Sequence, residues 1–400
     1  MTEPDAPSGS ATTFTWLSPQ FSLTLAAVFF VCAAYSALLP MVPLVVKNLT
    51  QRVDLAGVVT GAIAIGAVTF ELQAYRLLRR WASGPLLIAA FALGLLATAG
   101  FSVTHDLWLF LVLGAIFGSG FGIAVACTTA VVGDLTAPAS RGRAYGLYGM
   151  VATIPTVIAP TGALVALSAW GAPAVFRLVA VSCLLGIVAS AALRRLPPHS
   201  EATTPIVTVL GNPRVIIALV VYTMLSATYG AVVSFTAFVV HGTALTSPAF
   251  FFFVMGLSRV FSRLVAGSLL DRFGEHLVAV PGLIIAAVGL ACITLEGPWV
   301  AIAGLLYGAG FGTLQTSTIY AMLRQSPADA TAIVSGWWNF AVDFGVGLGA
   351  LALAPVAAGV GYETTFRLLP VALAVPFALR LAEAALFGRR ADLANTASNS

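Results

Sequence analysis

Four ionisable side chains stand in otherwise apolar stretches of the chain: Glu71, Arg259, Arg263 and Asp343. A charge in the middle of a hydrocarbon layer costs about 3 kcal/mol on insertion scales, so it persists only beside a partner or facing a wet cavity. Arg259 and Arg263 are four residues apart and share one helix face. A buried acid can take up or release a proton as its surroundings change. Asp343 set against Arg259 therefore reads as a proton-responsive pair, with Asp343 the proton carrier. The plainer alternative is a static Arg259–Asp343 bridge that orders the C-terminal half. Arg367, Arg380 and Glu383 fall in the last apolar stretch and are expected to pair locally or to reach toward its edge.

Other chemistries find little support. His105, His199, His241 and His276 are scattered, none forms an HExxH pattern, and no nucleophile lies near a base, so an enzyme is not expected. Cys32, Cys127, Cys183 and Cys292 lie in four different apolar segments without CxxC or Cys/His spacing. They read as packing residues, with neither a metal site nor a disulfide framework. No cofactor is expected.

The elements that hold these residues must be membrane helices. Only 8% of the 400 residues are charged and 59% are hydrophobic, with a mean hydropathy of +0.99. Soluble domains carry about 25% charged residues. So few charges cannot clothe a soluble surface of this size, and a lipid bilayer is the solvent that accepts the chain. The net charge of +4 comes from arginines in short loops and does not point to nucleic acid. At about 20 apolar residues per crossing, spans are predicted at 21–46, 55–78, 85–103, 107–132, 144–168, 173–193, 214–240, 249–270, 277–295, 298–322, 330–356 and 362–387. Residues 1–20 lack the features of a signal peptide and read as a disordered cytoplasmic tail. The longer polar stretch 196–213 divides a six-span bundle, 21–195, from a second, 214–388, followed by a cytoplasmic tail, 389–400.

Arginine placement sets the orientation. With the N-terminus inside, the inner loops hold Arg76, Arg79, Arg80, Arg141, Arg143, Arg194, Arg195, Arg214, Arg272, Arg324, Arg389 and Arg390, and the outer loops only Lys47 and Arg52. Both termini are therefore expected on the cytoplasmic side of the cell membrane. The halves are also copies. Gly114-Ala-Ile-Phe-Gly-Ser-Gly-Phe-Gly122 matches Gly304-Leu-Leu-Tyr-Gly-Ala-Gly-Phe-Gly312 at an offset of 190 residues. Pro138-Ala139 matches Pro327-Ala328 at 189, and Arg80-Trp81 matches Arg272-Phe273 at 192. The expected fold is an all-α membrane protein, twelve transmembrane helices in two pseudo-symmetric six-helix bundles, the parallel-repeat architecture of one large transporter class.

On these residues the chain resembles the major facilitator superfamily. Its G-x-L-x-D-R-x-G gate motif is present after the eighth span as Gly267-Ser-Leu-Leu-Asp271-Arg272-Phe-Gly274. The copy after the second span is degenerate, with Tyr75, Arg79 and Ala82 replacing Gly, Asp and Gly. The resemblance implies an inner-gate latch in which Asp271 approaches the positive N-terminus of span 11 and Arg272 pairs with a carboxylate; Gly267 permits close helix approach. Glu71 is a candidate substitute anion for the degenerate copy. Asp134, Arg141 and Arg143 in the loop after span 4 resemble a further superfamily segment, Asp134 pairing with Arg141 or across the gate. Pro155, Ala159-Pro160 and Gly162 partly match the span 5 motif of proton-coupled exporters. The arginine of many drug exporters is absent from span 4, where Gly114 stands.

The resemblance further implies a central cavity lined by spans 1, 4, 7 and 10, with candidates Tyr35, Tyr222, Tyr229, Phe235, Gln315, Trp337, Trp338 and Asn339. That mixture suits an amphipathic organic substrate. The expected activity is secondary transport by alternating access, with a small molecule and protons as partners and the chain working as a monomer in the bilayer. Proton-coupled export is favoured and uptake of a polar metabolite is the alternative; a channel or a membrane-embedded enzyme is a distant third.

Overall fold

The computed structural model describes residues 18–136, 140–195, 205–295, 297–327 and 330–383, and every regular element among them is helical. The helices are α1 (Pro19–Thr50), α2 (Val58–Arg80), α3 (Ser83–Val103), α4 (Leu107–Leu135), α5 (Arg141–Trp170), α6 (Ala172–Ala191), α7 (Pro213–Val239), α8 (Pro248–Phe273), α9 (Glu275–Cys292), α10 (Trp299–Arg324), α11 (Thr331–Val360) and α12 (Tyr362–Glu383). A short helix, Ile206–Leu210, precedes α7, and Leu369–Leu373 within α12 is a 3₁₀ stretch. Most of the 1–20 tail, residues 196–204 of the central loop and the 389–400 tail lie outside the described residues.

Local signals set the ends of these helices. Side chains of Ser18, Asp106, Asn212 and Ser247 accept hydrogen bonds from the backbone N–H groups of Phe21, Leu109, Arg214 and Phe250. Three of these caps are followed at once by Pro19, Pro213 or Pro248, whose fixed φ suits the first helical position. The α8–α9 turn passes through Gly274 at φ 78°. Its counterpart between α2 and α3 is Ala82 at φ −63°. The degenerate motif copy thus lost its glycine where the turn no longer needs a left-handed residue.

Among the described residues ten helices are long and apolar enough to cross a membrane. In α2 the apolar stretch is shorter, Val58–Ala74, and α10 is diluted by glycine, Gln315 and hydroxyl residues. Exposed side chains such as Leu96, Leu184, Val265 and Leu305 face what must be hydrocarbon.

The internal repeat is structural as well as sequential. In the first half α1 packs on α5, and α2 and α3 on α4; in the second α7 packs on α11, and α8 and α9 on α10. The glycine motif is the reason. Cβ atoms added at Gly114, Gly118 and Gly122 would meet Val59, Ile63 and Ala67, one turn apart along α2. Those added at Gly304, Gly308 and Gly312 would meet Phe251, Met255 and Arg259 along α8. Without side chains the two backbones of each pair close to contact. Gly114 touches Val59, so an arginine has no room there.

Between the halves α2 packs on α11, α5 on α8 and α1 on α7. These contacts gather toward the arginine-poor end. A Cβ at Gly57 would strike the Ala350 carbonyl, one at Gly347 would strike Ala64, and one at Gly256 would strike Val157. The Thr161 hydroxyl donates to the Ala249 carbonyl at 3.2 Å and the Tyr362 hydroxyl to that of Val53 at 3.2 Å. Phe235, Phe238 and Tyr362 form a plug there, with the Lys47 ammonium 4.6 Å from the Phe238 ring centroid. Phe235, expected in the central cavity, belongs to this plug, because it lies four residues from the end of α7.

At the arginine-rich end Asp134, Arg143, Asp271 and Arg272 are exposed. Among the described residues neither Asp271 nor Arg272 has a hydrogen-bond or ion-pair partner, and the Arg272 guanidinium lies 5.1 Å from the Phe273 ring centroid. The pairing expected of Arg272 with a carboxylate is not seen among the described residues. The Arg141 side chain, and with it the Asp134–Arg141 pairing, falls outside the described residues. Nothing lies within 4 Å of a Cβ added at Gly267 or Gly274, so Gly267 does not serve close packing in this form. Arg380 does not reach toward the edge. It is 0% exposed and paired with Glu383 at 2.9 Å and with Glu275, the first residue of α9.

Candidate functional site

Where the two halves meet, α2 and α11 bring two acids together. Asp343 is 4% exposed and accepts a hydrogen bond from the Tyr35 hydroxyl of α1 at 3.1 Å. The Glu71 carboxylate lies against that of Asp343, within hydrogen-bonding range. Both Glu71 oxygens are buried and receive no hydrogen from any described group. The contact is acid to acid, so neither side has a hydrogen to offer unless one carboxyl holds a proton. Tyr35 is fixed from behind, its ring stacked on Phe121 of α4 at 3.9 Å.

Arg259 has other partners than the one expected. Its Nε donates to Gln315 Oε1 at 3.0 Å, and the Gln315 amide nitrogen donates to the Tyr222 hydroxyl at 2.9 Å. The guanidinium carbon lies 5.1 Å from the Tyr229 ring centroid and 4.7 Å from that of Phe311. Tyr222 stacks on Trp338 at 4.6 Å, and the Trp338 indole N–H donates to Thr318 Oγ1 at 3.2 Å. The Arg259–Asp343 pair is thus corrected. Glu71 holds the place beside Asp343, and α10 supplies Arg259 with a neutral acceptor. Glu71, the candidate substitute anion for the degenerate gate motif, lies at this inter-half contact.

The second inter-half interface carries the other arginine. Arg263 Nη1 donates to Thr153 Oγ1 of α5 at 2.7 Å. The repeat explains the layout. Glu71 and Arg263 are 192 residues apart, the offset that superposes α2 on α8, and Thr153 and Asp343 are 190 apart, the offset of α5 and α11. One ancestral contact has become Glu71–Asp343 on one side of the pseudo-two-fold and Arg263–Thr153 on the other. Tyr35 on Phe121 and Tyr229 on Phe311 form a second related pair.

Five of the eight expected cavity residues gather at this centre. Tyr35, Tyr222, Tyr229 and Gln315 are buried within it, and Trp338 is its half-buried flank. Trp337 packs edge-on against Phe340 at 5.2 Å, away from Arg259, and Asn339 is half-buried with no partner among the described residues. In α5, Pro155 and Pro160 are buried inside a continuous helix, whereas Gly162 is exposed with nothing within 4 Å of an added Cβ. Thr153, Phe121 and Phe311 escaped the sequence reading. The repeat offset was the signal available for Thr153, since it names the counterpart of Asp343. Among the described residues no group of His, Cys, Asp and Glu could hold a metal.

The family model described as Major Facilitator Superfamily matches residues 24–350. No curated protein sequence matches the chain significantly. Solved structures do resemble it. The human organic anion transporter MFSD10 is 13% identical, with a TM-score of 0.68, over 90% of this chain and 99% of that one. The nucleoside transporter NupG is 13% identical at a TM-score of 0.73, over 92% and 99%. The peptide transporter POT in complex with sulfate is 15% identical at 0.73, over 92% and 95%. At such identities the likeness establishes the fold.

Proposed function

The chain belongs to the major facilitator superfamily, and from that premise we propose that it is a proton-coupled carrier whose proton is held between Glu71 and Asp343. The multi-pass helical fold and the transporter family exclude an enzymatic reading. The carrying observation is the pair of buried carboxylates in contact across α2 and α11, with Glu71 receiving no donor. Two ionised carboxylates in contact in a poorly polarisable interior repel strongly. A single proton between them removes the repulsion and supplies the missing hydrogen bond. Tyr35 donates the remaining one. Cys32, Tyr222 and Tyr229 are the other titratable groups around the pair, and Arg259 is the nearby cation.

The pair spans an interface that alternating access must part. Opening the arginine-poor end draws α2 away from α11, breaks the shared-proton contact and exposes each acid. Arginine placement supports a cytoplasmic position for the arginine-rich end, and on that reading the form described is closed to the outside. Export is the favoured direction, supported by the buried Pro155 and Pro160 of α5. Flux in everted vesicles with an acid lumen tests it: export predicts proton-driven accumulation of solute inside the vesicle, and proton-driven loss of solute from the lumen would reverse the assignment.

Proton coupling is tested in liposomes, using a solute identified by metabolite profiling of cells with and without the chain. Asp343→Asn is expected to keep solute exchange and to lose gradient-driven accumulation. Unchanged accumulation with unchanged pH dependence would end the proposal.

A further inference from the structure

Two guanidinium groups lie one helical turn apart in α8, and no described carboxylate answers either. Arg259 uses only its Nε, toward the neutral Gln315. Arg263 uses Nη1, toward the neutral Thr153. The two acids at this depth, Glu71 and Asp343, are turned on each other and on Tyr35. With one proton shared between them they carry one negative charge against two positive ones. A charge left over inside a membrane is expensive, so these side chains favour a negatively charged occupant.

The place for it is the free edge of Arg259. The residue is 7% exposed. Its Nη1 and Nη2 have no partner among the described residues, yet neither is sealed from solvent-sized space. The side chain is held rigidly. Gln315 fixes Nε, the rings of Tyr229 and Phe311 flank the plane, and the Arg259 backbone abuts Gly312. Gln315 is itself oriented by Tyr222, which Trp338 supports. A guanidinium pinned at Nε with both terminal nitrogens open presents the fork that matches a carboxylate in bidentate fashion. The walls beside it are aromatic.

We propose that the transported substrate is a small organic monoanion, its carboxylate held by Arg259 Nη1 and Nη2 and its apolar or aromatic body packed among Tyr229, Phe311 and Trp338. The proposal rests on the reading of this centre as a transport site; its charge count uses the shared proton, whereas the open fork of Arg259 stands without it. Cations are disfavoured because both acids are engaged with each other, and neutral solutes leave the excess positive charge unanswered.

The test is binding to the purified full-length protein in detergent, read by thermal unfolding and by Trp338 fluorescence against a Trp338→Phe control. The probes are acetate, butyrate, benzoate and phenylacetate, each beside its amide, with phenethylamine as the cation. At least one carboxylate is expected to bind saturably and at least about tenfold more tightly than its amide, the difference that loss of charge-assisted hydrogen bonds brings. Arg259→Gln should abolish that preference. Arg259→Lys keeps the charge but not the fork, and should weaken binding by a smaller factor; it also serves if Arg259→Gln does not fold. Arg177→Gln, on an exposed side chain of α6, should change nothing. If no carboxylate outbinds its amide, or if folded Arg259→Gln keeps the preference, the substrate class is wrong. Asp343→Asn separates the two proposals: carboxylate binding that survives while gradient-driven accumulation is lost supports both. Carboxylate preference with unaltered coupling in Asp343→Asn overturns only the proton site.

Discussion

Replacing Glu71 by Gln is the most informative single change at the acid pair. The shapes are nearly the same, but the amide brings two N–H donors to a position where neither oxygen receives one. Leaving a buried polar group without its hydrogen bond costs about 1–3 kcal/mol. At a pH where the pair has lost its proton, Glu71→Gln should therefore be more stable than the parent by about that amount. Where the pair is loaded, the difference should vanish, because the amide then imitates the protonated acid. Coupling gives the second magnitude. One pH unit is worth about 1.4 kcal/mol per proton, or roughly tenfold in solute ratio. Under a two-unit gradient, a one-proton carrier can reach a ratio of about a hundred, and Glu71→Gln should fall to about one while exchanging solute normally. Thermal unfolding across pH in detergent gives the first quantity, and tracer accumulation in liposomes the second. A variant that accumulates solute as the parent does, or whose stability parallels the parent's at every pH, refutes the shared proton.

Three further outcomes follow from the packing. Gly118→Val places a branched side chain against the Ile63 carbonyl and should cost about 1–3 kcal/mol by overpacking, whereas Gly146→Ala, with nothing within 4 Å, should be neutral in thermal unfolding. Arg380→Met strands Glu275 and Glu383, and should lower stability by about 3–5 kcal/mol; adding Glu275→Gln and Glu383→Gln should recover most of it. In the loop between α1 and α2, the hydrogen bond from Arg52 holds the Asp54 carboxyl below its usual range. What that pair contributes is present above the ordinary carboxylate range and lost as pH falls through the lowered value. Because the pair is exposed, Asp54→Asn should leave the unfolding temperature at neutral pH unchanged.

Hydropathy and the glycine repeat carried the fold, because both follow from constraints on the backbone. Lipid demands helices of a set length, and Gly114 to Gly122 and Gly304 to Gly312 mark where two helices touch. The site was legible in its residues and not in its pairings. Glu71, Arg259, Arg263 and Asp343 stand out as charges in apolar sequence. Which of them meet depends on helix rotation, and hydrophobic periodicity reports rotation poorly when a helix is apolar on every side. The charges alone set Arg259 against Asp343, whereas the structure turns it toward Gln315. Phe235 was misplaced for a related reason: its distance along α7 puts it among the plug aromatics. The repeat offset held the missing information, because it assigns Thr153 to Arg263 once Asp343 is assigned to Glu71.

The glycine columns have a genetic consequence. They lock α2 to α4 and α8 to α10 as plates, so Glu71 and Arg263 cannot adjust independently of the helices beside them. Each plate carries one of the two repeat-related polar contacts with the opposite half, Glu71–Asp343 or Arg263–Thr153, and α8 adds the Thr161–Ala249 hydrogen bond. Weakening one contact tilts the whole plate and loads the other. Damage at Glu71 should then be relieved by changes near Thr153, on the far side of the molecule, sooner than by changes beside Glu71 itself. Epistasis in this chain would follow its axis of duplication more closely than the distance between residues.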